Sequence, residues 1–504
     1  MNRLKIGWGR RDISTTEQVS LPGQMYMRIS SGVHDPIYVT ALCVDGGEGM
    51  DAVVFLGVDM GAIRPGIQTE VRAKVKELNP EIPTDAVIMN ATHTHACPAE
   101  MATPETTPDG AYVYPGLKYR EFYVRQCAEA VCEAWDRRRE GGMAYGYGYA
   151  VVAHSRRTIY LEDQSVANPR AVAPNGFGVM YGNTKKDSFS HYESGADHFL
   201  NLMFTFDGND KLTGIVVNVP CPSQVSEHFT KITADYWHDV RELVKKEYGE
   251  DVYVLPQCAP AGDLSPRVLH YKEAQARRME LKYGLGYDPA TAGFSNYNKV
   301  MAERYDIAER ICDGIRDVYS WAKKDIQTQI PVRHRKLDVK LNRRMITEEE
   351  KIWCEKNIEA MKNFIPNENS STPEEVRKAV SQFNSVRGRN MRTIERFETQ
   401  NENPYLDNEI HVTQVGDIAF ATNRFELYQD FMHRVQARSP FIQTFCVQLS
   451  GDEGGSYLPT QRGMDNKGYG CSMFDNIVGA EGGQQWVEFT LEALTELKSL
   501  DEEV

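Results

Sequence analysis

DAVVFLGVDMGAIRPGIQTEVRAKVKELNPEIPTDAVIMNATHTHACP, residues 51–98, decides the fold. Its ends, DAVVFLGVDM (51–60) and DAVIMNATHTH (85–95), are short apolar runs of the kind buried on both faces of a sheet. Between them GIQTEVRAKVKELNP (66–80) has helical spacing and stops at Asn79-Pro80. Strand, helix and strand over so short a span predict a crossover and a parallel pair. The rhythm repeats in KLTGIVVNVP (211–220), ADYWHDVRELVKKEYG (234–249) and EDVYVLPQCAP (250–260), with Asp235 as helix cap and Gly249 as its stop. EIHVTQVGDIAFAT (409–422) and FIQTFCVQLSG (441–451) restore β character late in the chain.

Further helices are expected at 119–139, closed by a break at Gly141-Gly142, and at 484–498. From 268 to 400 the pattern changes. NKVMAERYDIAERICDGIRDVYSWAKK (298–324) is helical, and Thr347 with Glu350 and Thr372 with Glu375 form capping boxes, the second with Pro373 at the first helical position. The expected fold is α/β: a multilayered mixed β-sheet core with flanking helices, one domain over 1–504. A helical insertion at 270–400 is expected to act as a lid or a subunit contact. No fixed-period repeat is present.

The formal charge of −14 carries no basic stripe, which argues against nucleic acid and anionic membranes as partners. Ten cysteines occur singly, without a CxxC pair, as in a reducing compartment. The N-terminus, MNRLKIGWGRRDIS, has no signal-peptide pattern, and no run reaches the ~18 apolar residues of a membrane span. The expectation is a soluble cytoplasmic protein without membrane insertion.

His93 and His95 share one face of an extended chain at the C-terminal end of a strand, where open α/β sheets bind ligands. Neutral imidazole is a common metal ligand and suits zinc; the blander reading is a hydrogen-bonded pair in a buried network. QCAPAGDLSPRV (257–268) packs Gly262, Asp263, Ser265 and Pro266 into a tight loop, either an oxyanion-binding turn or a turn only. No GxSxG elbow surrounds Ser265. GDIAFATNRFELYQDFMHRVQARSPF (416–441) places Glu426 at a strand-to-helix junction, and GDEGGSYLPT (451–460) places Tyr457 in a glycine-rich loop. Each alone reads as solvated or structural.

Together and in this order, these stretches resemble the neutral, non-lysosomal ceramidase family. Ala91–Pro98 is similar to that family's ATHTHSGP, and Gly262–Pro266 to its GD-x-SP. The region around Glu426, with ARSP at 437–440, fits a strand–PGE–helix element, and Ser456–Thr460 fits GYLPT. GVHDPIYVTAL (32–42) resembles GIHDPL. The resemblance implies a catalytic domain with one zinc ion that hydrolyses the amide of N-acylsphingosines. It implies that His93, Glu426 and Tyr457 bind the metal and that His95 handles a proton or orients groups beside it. Ser265 falls on the family's loop serine, and Arg156, in AHSRRTIY (153–160), near an arginine facing the substrate carbonyl.

Two departures qualify this picture. The family's second zinc histidine lies in a pattern like NFACHPT; here the stretch is NVPCPSQ (218–224), with Pro222 at that place. Cys221, His228 and His238 are the nearby substitutes, His228 preferred to His238. The chain also ends at Val504 without the family's β-sandwich domain and begins without an export signal. The expected activity is therefore zinc-dependent or other divalent-metal hydrolysis of an amide in a small soluble substrate, with Tyr457 and Arg156 stabilising the oxyanion. The runners-up are a glycoside hydrolase using Asp235, Asp263 and Glu426, and a non-catalytic binding protein descended from an amidase. Homo-oligomer formation is left open.

Overall fold

Eight strands form the first sheet of the computed structural model, which describes residues 3–165, 174–284, 297–452 and 457–501. Their order is Tyr253–Cys258, Leu212–Val219, Phe199–Asp207, Arg139–Tyr149, Lys5–Asp12, Tyr38–Asp45, Ala52–Val58 and Val87–Ala91. The expected parallel pair at 51–98 is present, running from Val54↔Val87 to Val58↔Ala91. The second crossover pairs Leu212–Val219 with Tyr253–Cys258, also in parallel. The pairings between these two units are antiparallel. The two crossovers thus occupy the two sides of the sheet, and Asn90 Nδ2 on one edge donates to Pro256 O on the other at 3.0 Å. This approach brings the loops after both parallel pairs to one place.

The second sheet has the order Val332–Asn342, Tyr405–Val415, Ile418–Thr422 and Gln443–Val447. A third crossover, through helix Gln429–Arg438, makes its last pair parallel. The sheets pack face to face through Phe55, Phe420 and Phe445, with ring centroids 4.8 and 4.6 Å apart. Helices Ile67–Leu78, Gly116–Asp136, Tyr236–Tyr248 and Tyr297–Ala322 cover the first sheet, and Gln429–Arg438 and Ala480–Ser499 cover the second. Alternate residues of a strand therefore meet a helix and the other sheet: Val39, Ala41 and Cys43 join the helix-side core, and Leu42 and Val44 the inter-sheet core. Burial on both faces explains the continuous apolar runs. The multilayered α/β architecture is as expected.

Two local expectations differ from the structure. Gly141 and Gly142 do not break the chain but lie in Arg139–Tyr149, whose glycines let helix Tyr297–Ala322 lie directly on the strand. A Cβ on Gly146 would sit 2.2 Å from the Trp321 ring. Region 270–400 is also less uniform than a helical insertion: its helix Tyr297–Ala322 buries Ile307, Ile311 and Ile315 in the main core. The same region supplies the edge strand Val332–Asn342, whose sequence VRHRKLDVKLN is charged as edge strands often are and so lacks an apolar signature. Helix Lys272–Tyr283 also belongs to this region, and its other described helices are Glu348–Met361 and Pro373–Thr399, each of these two with its capping box. The longer one lies against the loops at 22–27 and 469–476: Ser381 Oγ accepts from Met27 N at 2.9 Å, and Arg396 Nη1 donates to Met473 O at 2.8 Å.

All ten cysteines are free thiols. Among the described residues, no helix is long and apolar enough to cross a membrane.

Candidate active site

His93 follows strand Val87–Ala91 in an extension of the parallel ladder. Thr92 N donates to Val58 O and His93 N to Met60 O, both at 2.9 Å. His93 then adopts φ 68°, a left-handed conformation costly for a residue with a side chain. Its Nδ1 lies 2.6 Å from Gly61 O. A carbonyl only accepts, so Nδ1 carries a proton, which in the neutral imidazole leaves the lone pair on Nε2. That Nε2 is 3.4 Å from Glu426 Oε2 and 3.4 Å from His95 Nε2.

Glu426 and Tyr457 are directly paired in a short parallel ladder, so their side chains leave the backbone side by side. Ser456, matched by the sequence pattern, lies outside the described residues. The Gly262 loop presses against the backbone of Glu426, where a Cβ on Gly262 would be 2.4 Å from Glu426 O. The buried Glu426 carboxyl is driven upward by burial, but His93, Arg156 and Tyr457 prevail and hold it down at about 2. It is a carboxylate at neutral pH.

Arg156 completes this cluster. Its Nη2 donates to Gly262 O at 2.8 Å and to Tyr457 Oη at 3.2 Å, and lies 3.5 Å from Glu426 Oε2. Its Nη1 donates to Tyr181 Oη at 3.3 Å. The next residue, Arg157, points away into a buried two-point pair with Glu193, at 2.6 and 2.9 Å. Adjacent arginines thus have separate environments, and only Arg156 reaches the polar cluster.

Ser265 is buried and accepts from Arg267 N at 3.2 Å within its own turn. Asp263 anchors scaffold, accepting from Ser194 Oγ at 2.7 Å and Gln429 N at 3.1 Å. Asp235 caps its helix by accepting from Tyr236 N at 2.8 Å and also accepts from Ser226 N at 2.6 Å. His228 faces Glu227, Nε2 to Oε1 3.6 Å. His238 stands in the first turn of Tyr236–Tyr248. Among the described residues, no three His, Cys, Asp or Glu side chains form a grouped cation site: neither His228 nor His238 joins His93 and Glu426, and His95 and Glu426 are each close to His93 without closing a group of three. The structure brings together His93, His95, Glu426, Tyr457 and Arg156. A lone-pair imidazole nitrogen, a carboxylate and a phenol are donors that a zinc-like cation takes.

Several participants escape a reading of the sequence. Gln224 Nε2 lies 2.9 Å from His95 Nε2, and Glu227 Oε2 lies 3.1 Å from His95 Nδ1. Arg267 contacts the other oxygen of Glu227. Tyr181 lies between two guanidinium groups, Arg267 at 5.3 Å and Arg156 at 5.9 Å from its ring centre. Gln224 and Glu227 belong to the loop that departs from the ceramidase pattern, and Glu227 precedes His228; that polar cluster was the available signal.

No family model matches the chain, and no curated protein matches it. Solved structures do. The neutral ceramidase of Pseudomonas aeruginosa matches with a TM-score of 0.66 and 15% identity, over 99% of this chain and 75% of that one. A ceramidase complexed with C2 matches with a TM-score of 0.64 and 14% identity, over the same shares. Nearly the whole of this chain therefore has the neutral-ceramidase fold.

Proposed function

We propose that this protein is a metal-dependent hydrolase, zinc being the expected metal, that cleaves an amide bond in a small soluble substrate. The observation carrying this reading is that His93 Nε2 lies 3.4 Å from both Glu426 Oε2 and His95 Nε2. The Gly61 carbonyl fixes the His93 tautomer, and Glu426 is ionised. Two imidazole nitrogens 3.4 Å apart beside a carboxylate favour a cation between them. The fold shared with bacterial ceramidase supports hydrolysis as the reaction class.

In this reading His93, Glu426 and Tyr457 hold the metal. The bound ion supplies Lewis acidity towards the scissile carbonyl and lowers the pKa of water. Arg156, fixed by Gly262 O, keeps a permanent positive charge beside Tyr457 Oη. The pair offers two donors to an oxygen that becomes negative in the transition state. His95 presents Nε2 to the same space, where it either takes up a proton or holds the cation; the two roles exclude one another. Ser265 orders its turn and positions Arg267.

Zinc analysis with turnover of a panel of N-acyl amino acids, before and after chelation, tests the proposal. Activity that disappears with chelation and returns with one metal equivalent supports it. Full turnover in metal-free protein overturns it, and would instead favour a two-carboxylate glycosidase. The donors already held by Asp235 and Asp263 speak against that second reading. Stoichiometric metal with no turnover of any amide would favour a binding protein.

A further inference from the structure

The loop that should carry a second nitrogen ligand has Pro222 in its place. The geometry points to His95 as the replacement: in this chain His95 Nε2 is a metal ligand alongside His93, and Glu227 with Arg267 positions it. This rests on the metal-dependent reading and names a ligand that the ceramidase pattern leaves beside the metal.

Distance is the first argument. Two ligands of a tetrahedral zinc with bonds of about 2.0–2.1 Å stand roughly 3.3–3.4 Å apart. His93 Nε2 and His95 Nε2 are separated by 3.4 Å, as are His93 Nε2 and Glu426 Oε2. An N–H···N bond would ordinarily draw two imidazoles to about 3 Å. The rings meet edge to face, 79° apart with centroids 4.8 Å apart, and it is the two Nε2 atoms that approach each other.

Orientation is the second. A metal-binding imidazole commonly gives its other N–H to a carboxylate or carbonyl. His93 has the Gly61 carbonyl at Nδ1, and His95 has Glu227 there, 3.1 Å away although off the line of a straight hydrogen bond. Glu227 is 7% exposed and is itself held by Arg267. Burial opposes its charge, and His95 and Arg267 overcome that, keeping it well below the usual carboxylate range. The backbone of Gly23 closes one face of the His95 ring: a Cβ there would lie 2.4 Å from Cγ. Arg28 grips the His95 carbonyl. The ring is therefore fixed with Nε2 towards His93.

Gln224 is the remaining neighbour. Its amide N–H faces His95 Nε2 at 2.9 Å, a neutral donor that a cation would displace, while its Oε1 is buried without a hydrogen-bond partner. A half-turn of that amide would exchange the two atoms, so the residue accommodates a cation without leaving a donor aimed at it.

The test is competition of the purified full chain against a chromophoric zinc chelator, with cobalt substitution to count nitrogen ligands by absorption. His95→Ala should weaken zinc at least 100-fold and remove one nitrogen ligand from the cobalt spectrum. Glu227→Gln should weaken zinc 10- to 100-fold with the spectrum kept, as loss of an outer partner does. His228→Ala, His238→Ala and Gln224→Ala should each change affinity less than threefold. Circular dichroism and melting of the metal-free forms certify folding, and His95→Gln serves if His95→Ala does not fold. If the unmodified protein binds no zinc or cobalt, the metal-dependent reading fails as a whole. If it binds, His93→Ala abolishes binding and His95→Ala leaves affinity and spectrum unchanged, that reading stands and the assignment of His95 falls. Loss of affinity confined to His228→Ala or Gln224→Ala would likewise overturn it.

Discussion

Two buried clusters in this protein are built from the same parts, a histidine pair, a glutamate and an arginine, and they differ in closure. In the second sheet His334 and His411 stack at 15°, with Nε2 and Nδ1 2.9 Å apart. Glu409 takes His411 Nε2 at 2.7 Å, and Arg72 grips Glu409 at 2.9 and 3.1 Å. Each pair is at hydrogen-bonding distance, and Arg72 Nη2 also lies 3.1 Å from His411 Nε2, so the network is satisfied by its own members. At the candidate site His93 and His95 meet edge to face with their Nε2 atoms 3.4 Å apart, and one wall is an ionised carboxylate. A closed network holds the fold together, whereas an open one is completed by something from outside.

The largest effect separating the two is expected from His93→Ala. Metal content and hydrolysis should fall to background together, measured by elemental analysis and turnover, while His411→Phe should retain both. Equal loss in the two variants would erase the distinction. Arg156→Ala should lower kcat by about 10²–10³-fold, the usual cost of an oxyanion donor, with metal content unchanged; an effect confined to KM would assign Arg156 to ground-state binding.

Glu409→Gln tests the closed cluster. It should remove about 1–3 kcal/mol of stability at neutral pH, read from thermal or urea unfolding, and leave turnover untouched. Burial opposes the Glu409 charge, but His411 and Arg72 depress its pKa strongly in the folded state. The unfolded chain then takes up the proton first as pH falls. The stabilisation is full above the ordinary glutamate pKa of about 4.3 and declines below it. The variant should show a shallower loss of stability between about pH 5 and pH 3. The smallest effect is expected from His228→Ala, less than about 1 kcal/mol, the usual worth of a partly exposed ion pair such as that with Glu227. A larger drop in stability would place that side chain in the structural network.

Much of the framework was legible because it is local. The helix between the first two parallel strands, the Asp235 and Thr372 caps and the strand at 253–258 follow from spacing and end signals within a few residues. Arg139–Tyr149 was not legible, because its glycines answer to Trp321, 175 positions later in the chain. Val332–Asn342 was hidden by the charges of an edge strand. At the site, the sequence singled out His93, His95, Glu426, Tyr457 and Arg156, and the structure places these together. The sequence preferred His228 to His238 as the replacement nitrogen, and the structure groups neither with His93 and Glu426.

By itself the sequence determined the parallel crossovers, the helix ends and the residue types able to do hydrolytic chemistry, since each depends on neighbours in the chain. Tertiary structure alone decided which side chains share one space. That depended on the curl bringing Asn90 to Pro256 and on Gly262 lying against Glu426, contacts between segments more than 160 residues apart. The direction of a lone pair is set by such partners, so the difference between an open cluster and a closed one exists only in the folded chain.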